Sequence, residues 1–199
     1  MGGEDWEFWI DALQKADVLS KGFRTLAFTY IGTELTWPIY WEGTLGKAKE
    51  DLDRASRDIS SRLDTLGGEA KVVVLKAVVT QAMSAIPVVP LYASLLFRVM
   101  KDKSLHENTI LHIYRMFETH LCVENPRHLD EQGRMRMDDL EMLDEVQNLV
   151  KQRWNQVNSQ NLAELADLSG YRADFLRIFG FGIDGVDYEA DVDPTLADG

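Results

Sequence analysis

Cysteine is almost absent from this 199-residue chain, and Cys122 has no second thiol to pair with. That excludes an intrachain disulfide framework and fits a reducing, cytoplasmic compartment. Positive charge is scarce as well: 21 Lys+Arg against 33 Asp+Glu leave a formal net charge of −12. Proteins that grip a nucleic-acid backbone need clustered Lys and Arg, so no nucleic-acid partner is expected. Long apolar runs are lacking too. Only Ala77 to Phe97 goes without a charge, and it contains Thr80, Gln81, Ser84, Pro87, Pro90 and Ser94. A spanning helix needs about 20 mostly apolar residues and does not tolerate central prolines well, so no membrane insertion is expected. No basic segment followed by an apolar run opens the chain, and no secretory signal is expected.

A glycine-rich phosphate turn between a strand and a helix is also absent. Gly180, Gly182 and Gly185 match G-x-G-x-x-G by spacing. They follow a helical pattern and lead into Asp184, Asp187, Glu189, Asp191, Asp193 and Asp198, the wrong electrostatics for a pyrophosphate. The same acidic segment resembles a calcium loop only superficially, and a solvated tail or packing segment is expected. His106, His112, His120 and His128 have no Cys or carboxylate at metal-ligand spacing and read as surface histidines. Met135 and Met137, among Arg134 and Arg136, read as surface or partly buried fillers. Ser84 and Ser94 lack a His-Asp context for nucleophilic catalysis.

What is present suffices for a core, since 45% of the residues are hydrophobic. Trp6, Trp9, Ile10, Leu13 and Val18 recur at helical spacing over Glu4 to Leu19, with Asp5 as the expected cap. Phe23 to Ile31 reads as a strand and Gly32 to Gly46 as a loop. Leu45, Ala48, Leu52, Ala55, Ile59, Leu63 and Leu66 mark an amphipathic helix that Gly67-Gly68 ends. Ala70 to Thr80 is a nearly continuous Val/Leu run, suited to a parallel strand buried on both faces. Later segments are mostly helical: Pro90 to Lys103, Asn108 to Cys122, Asp139 to Trp154, Leu162 to Leu168 and Gly170 to Phe179. Asn125 to Asp138 reads as a surface connection. The expected fold is α/β: the C-terminal part of a doubly wound, Rossmann-like parallel sheet, with a largely helical C-terminal region. Residues 1–80 would form the sheet core, and residues 81–199 a helical region packing on the same domain.

Ligands of open α/β sheets gather beyond the carboxyl ends of strands, where Tyr30, Tyr40 and Lys49 fall. On one straight helix, nine residues would put Tyr40 and Lys49 on opposite faces. Pro38, Gly43 and Gly46 break such a helix, so the loop can return Tyr40 to Lys49. A nearby ammonium favours the phenolate, which predicts a lowered tyrosine pKa suited to acid catalysis. A lone tyrosine in a Trp- and Pro-rich loop is more often a packed residue than an acid, so the spacing alone favours packing.

The run YIGTELTWPIYWEGTLGKAKEDLDR resembles the NADH-dependent trans-2-enoyl-CoA and V-type enoyl-acyl-carrier-protein reductases. MGGEDWEFWIDAL, AVVTQAMSAIPVVPLYASLLFRVMK and GYRADFLRIFGFGIDGVDYEADVDP resemble the same family, in order, over roughly its C-terminal half. The resemblance implies reduction of the 2,3 double bond of trans-2-enoyl thioesters, carried by CoA or acyl-carrier protein, with NADH in fatty acid synthesis. It makes Tyr40 and Lys49 of the Tyr-x8-Lys pair catalytic and Tyr30 a substrate contact. Lys49, Val78, Val79 and Thr80 would meet the cofactor. Ala82 to Phe97 would form a substrate lid and acyl pocket, although a buried structural helix fits as well. Without the glycine-rich loop the chain alone is expected to be weakly active or inactive. Self-association, or pairing with a separate N-terminal half, is expected to cover its strand edges. The rival class is an inactive remnant or a non-enzymatic α/β association module. A carbonyl reductase with Lys four residues after Tyr is disfavoured by Thr44.

Overall fold

The structure is a computed structural model that describes residues 2–122 and 129–191. Three parallel strands lie in the order β1-β2-β3: β1 (Arg24–Thr29), β2 (Glu69–Val74) and β3 (Met135–Arg136). β1 and β2 run in register from Arg24 opposite Glu69 to Thr29 opposite Val74. β2 is sealed, with Ala70, Val72, Val73 and Val74 all buried, as its unalternating Val run requires. It ends at Val74, well short of Thr80, because its ladder partner β1 stops at Thr29. Residues 75–80 run on from the strand end, and this extension lines the site.

Helix α1 (Glu4–Lys15) packs on α3 (Thr44–Leu63), the crossover between β1 and β2. No side chain caps α1. Gly3, rather than Asp5, holds the cap position. Ile10, Ala55, Ile59, Leu63 and Ala70 form the core between these helices and the sheet. Each fully buried Ile or Leu contributes about 1.5–3 kcal/mol. Gly67, at φ 64°, ends the turn after α3 in a left-handed conformation that glycine adopts without a Cβ clash.

The remainder is helical: α4 (Gln81–Ser84), α5 (Val89–Asp102), α6 (Thr109–Met116) with a π turn over Phe117–Leu121, α7 (Asp144–Gln156), α8 (Leu162–Leu165) and α9 (Leu168–Ile178). α5 is buried almost throughout and packs on α7 and α9. No helix among the described residues is long and apolar enough to cross a membrane.

Asn125 to Asp138 is not merely a surface connection, since β3 pairs Val73 with Met135 and Val74 with Arg136. Met135 and Met137 are core residues that pack with Met116 and Val73. Their flanking guanidiniums stay paired, Arg134 with Asp130 and Asp53, and Arg136 with Asp138. The histidines are not all on the surface. His112 is fully buried and His120 nearly so. His112 Nδ1 lies 3.0 Å from Glu107, and its Nε2 accepts from the Lys76 amide at 3.4 Å. His128 and Asp193 lie outside the described residues, among which no His/Cys/Asp/Glu cluster could hold a metal ion. Gly180, Gly182 and Gly185 take positive φ with open space around them, as exposed turns.

Candidate active site

The carboxyl ends of β1 and β2 open into a cavity of about 250 Å³. Its walls include Thr29, Tyr30, Tyr40, Ala77, Val78 and Thr80, and it is roofed by Ala82, Met83 and Ile86. The uncharged stretch after Thr80 is therefore divided. Its first part lines the cavity, and α5 behind it is structural core.

Tyr40 reaches this cavity because the loop after β1 turns back on itself. Gly32, at φ 74°, begins the turn, and α2 (Trp37–Tyr40) ends it at Tyr40. A Cβ on Gly46 would overlap the Trp41 carbonyl oxygen, so a glycine at this point in α3 lets the loop lie against the helix. The Lys49 ammonium then stands 5.1 Å from the Tyr40 ring centroid. Lys49 Nζ donates to the Tyr30 carbonyl oxygen and, at 3.1 Å, to Thr29 Oγ1. An ammonium has three donors, so one remains for a ligand hydroxyl. The Tyr30 and Tyr40 rings meet edge to face, 5.0 Å apart at 84°.

The electrostatics differ from the expectation of a lowered tyrosine pKa. Burial, aided by the nearby Tyr171 phenol, pushes Tyr40 up to about 12. Burial also lowers Lys49 to about 8. Desolvation outweighs the attraction between ammonium and phenolate, and Tyr40 stays a neutral phenol across physiological pH. Its hydroxyl has no hydrogen-bond partner among the described residues. A neutral, uncommitted O–H facing a cavity can donate to a developing oxyanion.

Val78, Val79 and Thr80 do not share one cavity. Val78 and Thr80 line the tyrosine cavity, whereas Val79 faces a second one of about 460 Å³ with Asn108, Ile110 and Arg177. Among the described residues no hydrogen bond engages the backbone N–H of residues 78–80. Unpaired backbone donors at a strand end can hold a planar amide.

Glu141 was not legible as part of this site. It is fully buried and accepts from Tyr30 Oη at 2.9 Å, Tyr92 Oη at 2.7 Å and the Ala77 amide at 2.6 Å. Lys76 was missed as well. Its ammonium is buried, donates to the Ala77 carbonyl at 3.2 Å and lies 5.4 Å from the Phe97 ring. Neither stands out in sequence, because Glu141 sits in an ordinary acidic stretch and Lys76 at the end of a Val run.

The family described as "Trans-2-enoyl-CoA reductase catalytic region" matches residues 1–122, more than half of the chain. The chain belongs to the trans-2-enoyl-CoA reductase family. A second description, "Enoyl reductase FAD binding domain", matches residues 129–192. An enoyl-[acyl-carrier-protein] reductase [NADH] from Vibrio vulnificus (strain YJ016) is 54% identical over 199 residues, covering 99% of this chain and 50% of the relative. One from Serratia proteamaculans is 55% identical, with 96% and 48% covered. The solved trans-2-enoyl-CoA reductase of Clostridium acetobutulicum in complex with NADH superposes with a TM-score of 0.92 at 44% identity, covering 97% and 49% of the two chains. The Treponema denticola enzyme in complex with NAD gives 0.89 at 43% identity, with 96% and 48% covered. The chain spans about half the length of the curated relatives it matches.

Residues 129–191 do not fit a flavin. A flavin pyrophosphate calls for a free helix N-terminus. The first turn of α7 carries Asp144 and Glu145, and that of α9 is capped by the Asp167 carboxylate, which accepts from Gly170 N. Gly180, Gly182 and Gly185 have open space around them and press against nothing. No step of the chemistry proposed for this chain passes through a flavin.

Proposed function

We propose that this chain is the tyrosine-bearing half of an NADH-dependent enoyl-thioester reductase, acting on trans-2-enoyl groups carried by CoA or acyl-carrier protein. The observation that carries the reading is the cavity lined both by the unpaired Tyr40 phenol, backed by Lys49, and by Val78 and Thr80 at the strand end. Bound NADH would supply the hydride that adds to the substrate β-carbon. Tyr40 donates its hydrogen bond to the thioester oxygen as negative charge develops there, and then its proton to the enolate. General acids and oxyanion donors of this kind each contribute about 10²–10⁴ in rate. The third Lys49 donor reaches the nicotinamide ribose, and its charge offsets the Tyr40 phenolate that proton transfer leaves. The N–H groups of residues 78–80 take the carboxamide, and Tyr30 borders the acyl group under the roof of Ala82, Met83 and Ile86.

In this reading residues 2–80 carry the reacting groups, and the described residues beyond them, 81–122 and 129–191, roof and buttress them. Among the described residues β1 has no strand on its outer edge, and its Phe28 is 53% exposed. Ile110, Leu111, Tyr114 and Phe117 are exposed on α6 and the turn after it. A parallel sheet is stable with both faces covered and its edges paired, which favours association with a complementary N-terminal half. Cys122, free and exposed, suits a reducing cytoplasm.

The test combines this chain with the separately produced N-terminal half of the Vibrio vulnificus relative and follows NADH oxidation with crotonyl-CoA. Turnover by the pair, lost in Tyr40→Phe and nearly absent from the chain alone, is expected. Robust turnover by the chain alone would refute the half-site. Turnover indifferent to Tyr40→Phe would refute the chemistry.

A further inference from the structure

Glu141 lies 101 residues beyond Tyr40 in sequence, beside no expected motif, yet its carboxylate sits beneath both walls of the cavity. Its Oε1 accepts the Tyr30 and Tyr92 phenols, and its Oε2 accepts the Ala77 amide, next to Val78. Gln147 Nε2 donates to the Glu141 carbonyl at 2.7 Å and to Tyr92 Oη at 3.3 Å, which commits the Tyr92 proton to the carboxylate. The donors come from the β1 end, the β2 end and α5, and the acceptor from the segment before α7. We propose that Glu141 is a positioning residue that aligns the two walls of the reductase site, anchoring the Tyr30 ring against Tyr40 and the strand end that faces the cofactor.

The chemistry of the three donors requires a carboxylate there. The Ala77 N–H can only donate, whereas a phenol can turn and accept. Glutamine offers one carbonyl oxygen and one NH₂. In Glu141→Gln the carbonyl must take the Ala77 amide, and the NH₂ then confronts the phenols, so the Tyr30 hydroxyl has to reverse. The strand wall is kept while the charge-assisted anchor of the tyrosine wall is lost. Tyr40 packs on that wall, 5.0 Å from the Tyr30 ring, and small misplacements of a reacting group cost rate steeply. Burial pushes the Glu141 carboxyl up, and the hydrogen bonds from the Ala77 amide, Tyr92 and Tyr30 act against that rise.

The experiment places ¹³Cζ-tyrosine and ¹⁵N-alanine in the full 199-residue chain and compares wild type with Glu141→Gln and Tyr30→Phe. In Glu141→Gln the Tyr30 and Tyr40 carbon signals are expected to move while the Ala77 amide stays. In the pair reconstituted with the complementary half, kcat is expected to fall about tenfold with KM within about threefold, as misplacement of a reacting group predicts. Tyr30→Phe keeps the Glu141 bonds to Tyr92 and Ala77, so it tests the anchor even where the glutamine variant does not fold. Tyr40 must then report the loss. Unmoved Tyr30 and Tyr40 signals, or kcat within about twofold of wild type, overturn the proposal. It rests on the reductase reading only for its kinetic part. A wild-type pair without turnover counts against that reading, and the spectra alone then decide the role of Glu141.

Discussion

The Lys49 ammonium stands 5.1 Å from the centre of the Tyr40 ring, while its own hydrogen bonds go to the Thr29 hydroxyl and the Tyr30 carbonyl at the end of β1. The lysine therefore ties the strand end to the returning loop. It acts on the tyrosine through space, not through a hydrogen bond.

Tyr40→Phe removes one hydroxyl and no packing. The isolated chain should keep its fold by circular dichroism, and the reconstituted pair should lose about 10²–10³ in kcat. A loss below about threefold would show that another group protonates the enolate.

NADH binding should depend on pH through Lys49. Burial lowers its pKa to about 8, so the ammonium is charged at neutrality and is lost as pH rises through about 8. Calorimetry should show affinity weakening above that pH in wild type and a flat, weaker profile in Lys49→Ala. Equal affinity for both proteins would remove the lysine from the cofactor site.

The same groups set opposite slopes in stability. The Lys49 pKa lies below its unfolded value of 10.5, so the unfolded chain binds more protons between about 8 and 10.5, and this group favours folding increasingly over that window. Tyr40, raised from 10.0 to about 12, holds its proton longer when folded, so stability should fall as pH climbs from 10 to 12. Urea melts across this range check both signs. A Lys49→Met chain that still gained stability above pH 8 to the wild-type extent would contradict the assignment.

Gly46→Ala should cost about 1–3 kcal/mol, because the new Cβ meets the Trp41 carbonyl, and should weaken NADH binding by displacing Tyr40. Gly43→Ala has open space and should cost less, about 0.5–1 kcal/mol, because alanine is a poorer helix N-cap than glycine. Matching urea midpoints for the two variants would show that the loop does not depend on that close approach.

Met137→Ala should destabilise by about 2–4 kcal/mol, since the side chain is fully buried against β2. A surface filler, as its arginine neighbours suggest, would cost under about 0.5 kcal/mol. Chemical denaturation separates the two.

Local patterns were legible without the structure. The three- and four-residue spacing of Ala55, Ile59 and Leu63 announces α3, and the Val run announces a sealed strand, because each pattern follows from the period of its own backbone. A return of Tyr40 to Lys49 was legible as an option, because Pro38 and Gly43 argue against a straight helix between them, while Gly46 lies inside α3. β3 was not, because two residues carry no period and Met135 resembles any methionine between arginines. The burial of His112 was hidden for a similar reason: its Nε2 meets the Lys76 amide only once α6 has docked against the end of β2.

The sequence by itself determined the longer helices and the first two strands, which follow from neighbours within about one helical turn, and through its family resemblance it nominated Tyr40 and Lys49. Tertiary structure alone decided the protonation state of that tyrosine and the place of Glu141. Desolvation depends on what surrounds a group in three dimensions, and it pushed the Tyr40 pKa up where the nearby lysine alone would have lowered it. Glu141 meets Tyr30 across 111 residues, a contact that no local pattern encodes.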